Sequence, residues 1–369
     1  MDSMHISLGI VKQLLKLWFD SKFSGESFSL VHNVGEVNKR LRQLNLPNFV
    51  QRLPEDVTKL HFWKASLCRN FLLYIGLVIM KPFMKPEYFK NFCLLVNGIA
   101  ILHKRSISLS DITLADQYFC EFSKEFEELY GVRHMSSNIH LLRHLASSVL
   151  YCGNLCLTSC FRFEDLNGKL ASLVHGTIHA IKQIYNNLLV LSELPLLVSD
   201  LQGEEAKKIC MKLTNKKYLT LSEKIAENIY VVGDMDTVTQ HYREISQICL
   251  SLLGPTQFRT FSRVCKQRTL FVSSSYSRGS RVSSYCKNRC ADGDVHGLIL
   301  CFVKACVDPP CYFAYMYRSE RISVENLERY VVFCSANETK DLIPITDIMS
   351  LSWCLTVDNI SYLNKFEME

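Results

Sequence analysis

Two pairs of histidines have the i, i+4 spacing that puts both rings on one face of a helix, as metal ligation requires. These histidines, and the cysteines that follow the first pair, are His140 and His144, His175 and His179, and Cys152, Cys156 and Cys160. A zinc site of two histidines and two cysteines is sterically conceivable, although the spacing matches no standard zinc module. No glutamate follows the first histidine of either pair, which removes the zinc-protease pattern. Half-buried helix histidines near apolar cysteines are the simpler interpretation, so the sequence predicts no metal site and no cofactor.

Two adjacent carboxylates, Glu164 and Asp165, open a long predicted helix. The helix dipole favours carboxylates in a first turn, which is the ordinary explanation for them. The sharper alternative is a metal-binding carboxylate, since a residue eleven positions along, His175, falls on nearly the same side of a helix. A two-metal site for phosphoryl transfer needs about three carboxylates from separate elements, and one helix cannot supply them. The glycine-rich phosphate-binding motifs and the Gly-x-Ser-x-Gly motif are absent, and no small-molecule substrate is expected.

A run of basic residues without any acidic one lies between Ile245 and Ala291. Its eight members are Arg259, Arg263, Lys266, Arg268, Arg278, Arg281, Lys287 and Arg289. Aromatic residues are interleaved with them, and that combination suits a phosphate backbone with stacked bases, so DNA is the partner it suggests. Arg278 and Arg281 flank Gly279, a residue that fits a hairpin turn, and the sequence predicts at least four of these charges on one exposed face. The alternative is a solvated basic edge that discourages strand aggregation.

The predicted secondary structure changes from helices to strands at Gly254-Pro255. Before this point apolar residues recur with helical spacing, and helices are predicted over residues 60–80, 86–102, 110–130, 138–150 and 163–189. Pro195 is expected to break the chain after the last of them. Beyond Gly254, short β-branched and aromatic runs with turn signals predict a small antiparallel barrel or sandwich. The predicted fold class is α+β, with a helical region at 1–190, a helical connector at 191–254 and a small β-rich module at 255–369.

Composition places the chain among globular proteins, because 48% of its residues are apolar and 11% are aromatic. No stretch reaches the roughly 18 uninterrupted apolar residues of a transmembrane helix, and the Met-Asp start does not resemble a secretory signal. The 16 cysteines include no Cys-x-x-Cys pair, so reduced core thiols are expected. The sequence therefore predicts a soluble intracellular protein without a membrane partner, and it indicates no oligomeric state.

Several strings resemble, in order, the later part of animal CACTA (EnSpm-type) transposases. They are Asp2–Ile6, Leu60–Ser66, Arg69–Tyr74, Asn138–Leu145, Cys160–Leu170 and Leu173–Thr177. The first is an Asp-x-x-His string with Asp2 and His5, the fourth contains His140 and His144, and the fifth contains Glu164. The resemblance covers about residues 2–190. The β-rich tail also resembles, with weaker motifs, the region that ends many animal copies.

The resemblance implies an RNase H-like domain with two aspartates and a late glutamate, divided by a helical insertion. Glu164 would be the late acid, and the helices between His5 and Cys160 would form the insertion. The chain begins at the Asp-x-x-His string, so the strands that carry the first two aspartates are expected to be missing, and Asp2 is not one of them. A divalent metal ion is then expected only if those aspartates are supplied.

The function expected from the resemblance is that of a transposon-derived pseudoenzyme, catalytically incomplete, which binds nucleic acid through the basic residues at 259–289. The alternative is a protein-interaction module of a domesticated or decayed transposase, with no DNA contact. The resemblance also implies a nuclear location, and without it the cytosol is expected.

Overall fold

The computed structural model describes most of the chain and has an α+β architecture. The described residues are 2–44, 56–213, 221–235, 239–276, 283–290, 293–318, 330–333, 339–352, 354–357 and 360–364. Helices fill the first part of the chain and antiparallel sheets fill the C-terminal part, which confirms the predicted class. No helix in these ranges combines the length and the apolar character needed to cross a membrane.

The helices are α1 (Ser3–Phe19), α2 (Val34–Arg42), α3 (Ala65–Asn70), α4 (Gly76–Met80), α5 (Pro86–Leu102), α6 (Leu109–Tyr130), α7 (Ser137–Leu142), α8 (Leu145–Cys152), α9 (Phe161–Ser172), α10 (Ala180–Ser199), α11 (Glu204–Leu213) and α12 (Tyr242–Leu253). A π-helical segment, Phe71–Ile75, joins α3 to α4. The first eight helices share one apolar core.

The core of the helical part is built around α1, α5 and α6. The buried Trp18 indole of α1 donates a hydrogen bond to the Tyr130 hydroxyl at the end of α6, over 3.1 Å. The Asn91 side chain of α5 donates to the Phe122 carbonyl of α6, also over 3.1 Å, so this buried amide has a partner. Both apolar packing and specific hydrogen bonds therefore stabilise the helical part.

The predicted helix over residues 163–189 is wrong, because the structure has two helices there. α9 ends at Ser172 and α10 begins at Ala180, with His179 in a left-handed conformation (φ 58°) just before it. The Gln183 side chain stabilises the break, since its oxygen accepts hydrogen bonds from the His175 and Gly176 backbone N–H groups at 2.8 and 3.2 Å. The expected break at Pro195 is also wrong, because α10 continues to Ser199.

The strands are β1 (Leu221–Ala226), β2 (Ile229–Val232), β3 (Phe258–Phe261), β4 (Arg263–Lys266), β5 (Thr269–Val272), β6 (Tyr285–Cys290), β7 (Gly293–Ala305), β8 (Cys311–Arg318), β9 (Tyr330–Phe333), β10 (Thr339–Pro344), β11 (Ile348–Leu351), β12 (Cys354–Val357) and β13 (Ile360–Asn364). They form sheets ordered β1-β2-β4-β5, β10-β8-β7-β6-β11 with β3 also on β7, and β12-β13-β9. The β1–β2 hairpin lies inside the predicted helical connector at 191–254, which is therefore not wholly helical.

The first two sheets pack face to face. Val231 and Val264 from the four-stranded sheet share a buried cluster with Phe302 and Met316 from the six-stranded sheet. Helix α12 covers the other face of the six-stranded sheet. There its buried Ile245 packs with Val303 of β7 and Tyr315 of β8. The described strands form open sheets and no closed barrel, so the barrel alternative is not supported.

Candidate functional site

The start of α1 and the start of α9 meet although they are far apart in sequence. Asp2 caps α1, and its carboxylate accepts hydrogen bonds from the Met4 and His5 backbone N–H groups at 3.1 and 3.2 Å. The same carboxylate accepts a hydrogen bond from the Cys160 backbone N–H at 2.9 Å, across 158 residues. The His5 Nδ1 atom contacts the second carboxylate oxygen. Asp2 thus links the string Asp2–Ile6 to the string Cys160–Leu170.

Neighbouring contacts hold this junction in place. The buried Ser3 hydroxyl donates to the Leu155 carbonyl over 2.9 Å, and the Leu155 N–H donates to the Leu102 carbonyl over 3.0 Å. The Arg69 guanidinium lies 4.7 Å from the centre of the Phe161 ring, a cation–π contact at the first residue of α9. The loop before α9 is therefore tied to α1, α3 and α5.

Three different metal-binding atoms come together at the junction. A carboxylate oxygen of Asp2, a ring nitrogen of His5 and the Cys160 sulfur all lie within 4.8 Å of one another. In the part of the chain that the structure describes, they form the one group of three such residues. Asp2 has 20% of its side chain exposed and His5 has 65%, so the group is open to solvent on the His5 side.

The electrostatics of the junction follow from these hydrogen bonds. Partial burial acts to raise the pKa of Asp2, but the Cys160 N–H, the His5 ring and the Met4 N–H outweigh it and hold that pKa below its ordinary value. Partial burial, and then the carboxylates of Asp2 and Glu164, raise the pKa of the Cys160 thiol. The junction therefore pairs an ionised Asp2 with a protonated Cys160 at neutral pH.

Glu164 lies one turn beyond Cys160 and is exposed. Its carboxylate is near enough to act on the Cys160 thiol, but it belongs to no group of three ligand atoms among the described residues. The shared helix face predicted for Glu164 and His175 does not exist, because α9 ends at Ser172 before His175. Glu164 therefore stands beside the junction without further carboxylates converging on it in the described ranges.

The two histidine pairs lie in different structural settings. His140 lies in α7 and His144 directly precedes α8. Both are exposed, and their Nε2 atoms are 3.3 Å apart. Of the three cysteines that follow, Cys160 joins Asp2 and His5 rather than this pair. His175 and His179 lie in the segment between α9 and α10, so the prediction that they share a helix face is wrong.

Some basic residues of the β-rich part collect at the β4–β5 hairpin. Arg268 is exposed in its two-residue turn, with φ 67°, and Arg289 is exposed on β6. Lys266 points inward and donates hydrogen bonds to the Thr346 and Ile348 carbonyls. Burial lowers the pKa of Lys266, Asp347 opposes that effect, and nearby Arg289 lowers it further. The hairpin tip and Arg289 thus lie at one end of the module, and we call Arg268 and Arg289 the basic end.

The remaining members of the basic run are spread out. Arg259 is exposed on β3 and acts electrostatically on Glu223, which also bonds Lys304. The Arg263 guanidinium lies 4.8 Å from the centre of the Tyr276 ring. Lys287 is half-buried on β6. Arg278 and Arg281 lie outside the described residues, so the predicted gathering of at least four charges stays a prediction.

Searches for similar proteins add no family. Comparison with protein-family models, with curated protein sequences and with solved structures finds no match.

The pairing of Asp2 and His5 with Cys160 was missed by sequence reasoning. The available signals were the Asp-x-x-His spacing, which suits a helix N-cap, and a cysteine just before a second predicted helix. Neither signal shows that two helix starts 158 residues apart come together.

Proposed function

We propose that the chain is a transposase-derived protein that binds DNA through the basic end of its β-rich part and does not cleave DNA by itself. The proposed transposase origin is supported by the junction. There the Cys160 backbone N–H of one resembling string donates a hydrogen bond to the Asp2 carboxylate of another. Strings that resemble one family in sequence order, and that also pack together, favour a shared origin over chance similarity.

The DNA contact is supported by the chemistry of the basic end. Arg268 and Arg289 are exposed and lie near Lys266, whose ammonium already bonds backbone carbonyls. An exposed guanidinium offers several donors in a fixed plane, which suits phosphate oxygens. A tight turn presents Arg268 at the hairpin tip, where a duplex backbone has access.

A binding assay with matched variants tests the DNA contact. We expect Arg268→Ala/Arg289→Ala to weaken duplex binding strongly, since each lost phosphate contact costs roughly tenfold at about 0.1 M salt. The control is Arg42→Ala/Arg105→Ala, which removes the same charge from exposed positions in the helical part. Equal weakening by both variants would show that only net charge matters, and would contradict a contact at the basic end.

The alternative, a protein-interaction module, is favoured by a different surface. No described side chain of α9 or α10 is buried, and large apolar ones are exposed, including Ile181 at 86% and Tyr185 at 62%. Exposed apolar surface of this extent is typical of protein contacts. Failure of both duplex and single-stranded DNA to bind at about 50 mM salt would favour this alternative.

A further inference from the structure

We propose that Asp2, His5 and Cys160 bind a zinc ion that joins the start of α1 to the start of α9. The proposal does not depend on DNA binding. It rests on the three ligand atoms at the junction, all within 4.8 Å of one another.

The types of the three atoms select the metal. A thiolate and an imidazole are ligands that Zn²⁺ prefers, whereas Mg²⁺ and Ca²⁺ take oxygen ligands almost exclusively. One sulfur, one nitrogen and one oxygen leave the fourth tetrahedral position to water on the solvent side of His5. Glu164, one turn along α9, is the nearby carboxylate that can accept a hydrogen bond from that water.

The geometry needs only a small adjustment. Zn²⁺ bonds of about 2.0–2.3 Å place tetrahedral ligand atoms about 3.3–3.8 Å from one another. The His5 ring lies closer than that to Asp2, and it is 65% exposed, so it has room to rotate outward. Coordination breaks only the S–H bond of Cys160, whose proton goes to solvent, and no oxidation is involved.

Two of the three ligands are already held in position. The Asp2 carboxylate is fixed by backbone N–H groups of Met4, His5 and Cys160. Its Oδ1 atom accepts the Met4 and Cys160 bonds, whereas Oδ2 accepts only the His5 N–H and keeps a lone pair for the metal. Cys160 is fixed by that same contact and by the start of α9. An ion bound here joins segments 158 residues apart, so zinc should stabilise the folded chain.

Zinc titration of the purified full chain tests the proposal. After removal of metal with a chelator, we expect the protein to take up about one Zn²⁺ per chain at pH 7 and to unfold at a higher temperature with zinc than without it. Cys160→Ser and His5→Ala should each weaken zinc binding by about tenfold or more. Cys152→Ser, which changes an exposed cysteine outside the group, should bind zinc like the unchanged protein.

Cobalt substitution keeps the test independent of variant folding. The unchanged protein loaded with Co²⁺ should show a thiolate-to-cobalt charge-transfer band, and Cys152→Ser should keep that band while Cys160→Ser loses it. The variant His140→Ala/His144→Ala should keep both the band and the zinc. Absence of bound zinc in the unchanged protein, or loss of zinc from the His140/His144 variant but not from Cys160→Ser, would overturn the proposal.

Discussion

Among single residues, Asp2 connects two parts of the fold. It caps α1 and also accepts the Cys160 N–H, so one carboxylate serves two helix starts. A sequence shows that an aspartate suits an N-cap, because that preference is local. It does not show the Cys160 contact, which exists only after the intervening helices have packed.

Replacement of Asp2 separates these roles. We expect Asp2→Ala to lower the free energy of unfolding by about 1–2 kcal/mol, because it removes the cap and leaves the Cys160 N–H without its acceptor. Asp2→Asn keeps a capping oxygen and should cost much less. Chemical denaturation of both variants without metal gives the comparison, and equal losses for Ala and Asn would contradict the capping account.

A second prediction at this scale concerns Glu164. If the chain is catalytically incomplete, Mg²⁺ or Mn²⁺ should produce no strand cleavage of duplex DNA, and Glu164→Gln should bind DNA with unchanged affinity. Cleavage assays with labelled duplex, run beside the binding assay, provide the measurement. Metal-dependent cleavage that Glu164→Gln abolishes would show an active site and contradict the proposed function.

At the scale of elements, local signals predicted the helices that local interactions determine. α5 was predicted to begin at Pro86 and end near Leu102, and it does. The β1–β2 hairpin was not predicted, because its place depends on pairing of β2 with β4, more than 30 residues later. The break between α9 and α10 depends on Gln183 reaching back to His175 and Gly176, which a periodic pattern does not contain.

The contact between α5 and α6 gives a sharp test of packing. A Cβ atom at Gly98 would lie 2.6 Å from the Phe119 ring, so Gly98→Ala should destabilise the protein by about 1–3 kcal/mol. Gly168→Ala in α9 is the matched control, because no atom lies within 4 Å of its Cβ position. That control should be neutral or stabilise by up to about 1 kcal/mol. Denaturation midpoints that rank the two variants the other way would contradict the packing described.

Docking of α12 on its sheet should depend on pH. Glu244 of α12 accepts hydrogen bonds from Lys340 at 2.8 Å and from the Tyr315 hydroxyl at 2.6 Å. Lys340, and then Tyr315, lower the pKa of Glu244 to about 2. Because the folded-state pKa is depressed, the ionised carboxylate stabilises the fold above its unfolded pKa of about 4.3, and this stabilisation is lost as pH falls towards 2.

Thermal unfolding of Glu244→Gln checks this dependence. The unchanged protein should unfold at a higher temperature than the variant at pH 6, and the gap should close progressively below about pH 4.3. The control is Glu227→Gln, which changes an exposed acid of the β1–β2 turn. It should leave the unfolding temperature unchanged at each pH. A gap between Glu244→Gln and the unchanged protein that is as large at pH 2.5 as at pH 6 would contradict the role of the carboxylate.

In the molecule as a whole, the helical part and the β-rich part carry different candidate sites. The helical part brings Asp2, His5 and Cys160 together beside Glu164, and the β-rich part presents Arg268 and Arg289. The sequence predicted this division at Gly254, because the hydrophobic period changes there, although the first hairpin of the sheet begins earlier, at Leu221. The sequence could not show which basic residues are free to bind DNA. Packing decides whether a lysine such as Lys266 bonds backbone carbonyls or faces solvent.

The salt dependence of duplex-DNA affinity, measured on the full chain, tests DNA binding through the basic end directly. Counterion release predicts that log K falls by about 0.9 for each phosphate contacted per tenfold rise in salt concentration, so the two arginines of the basic end should contribute about two to the slope. Arg268→Ala/Arg289→Ala should flatten that slope by about two without changing any sequence preference. Absence of binding at about 50 mM salt, or a slope that the double variant leaves unchanged, would contradict DNA binding through the basic end.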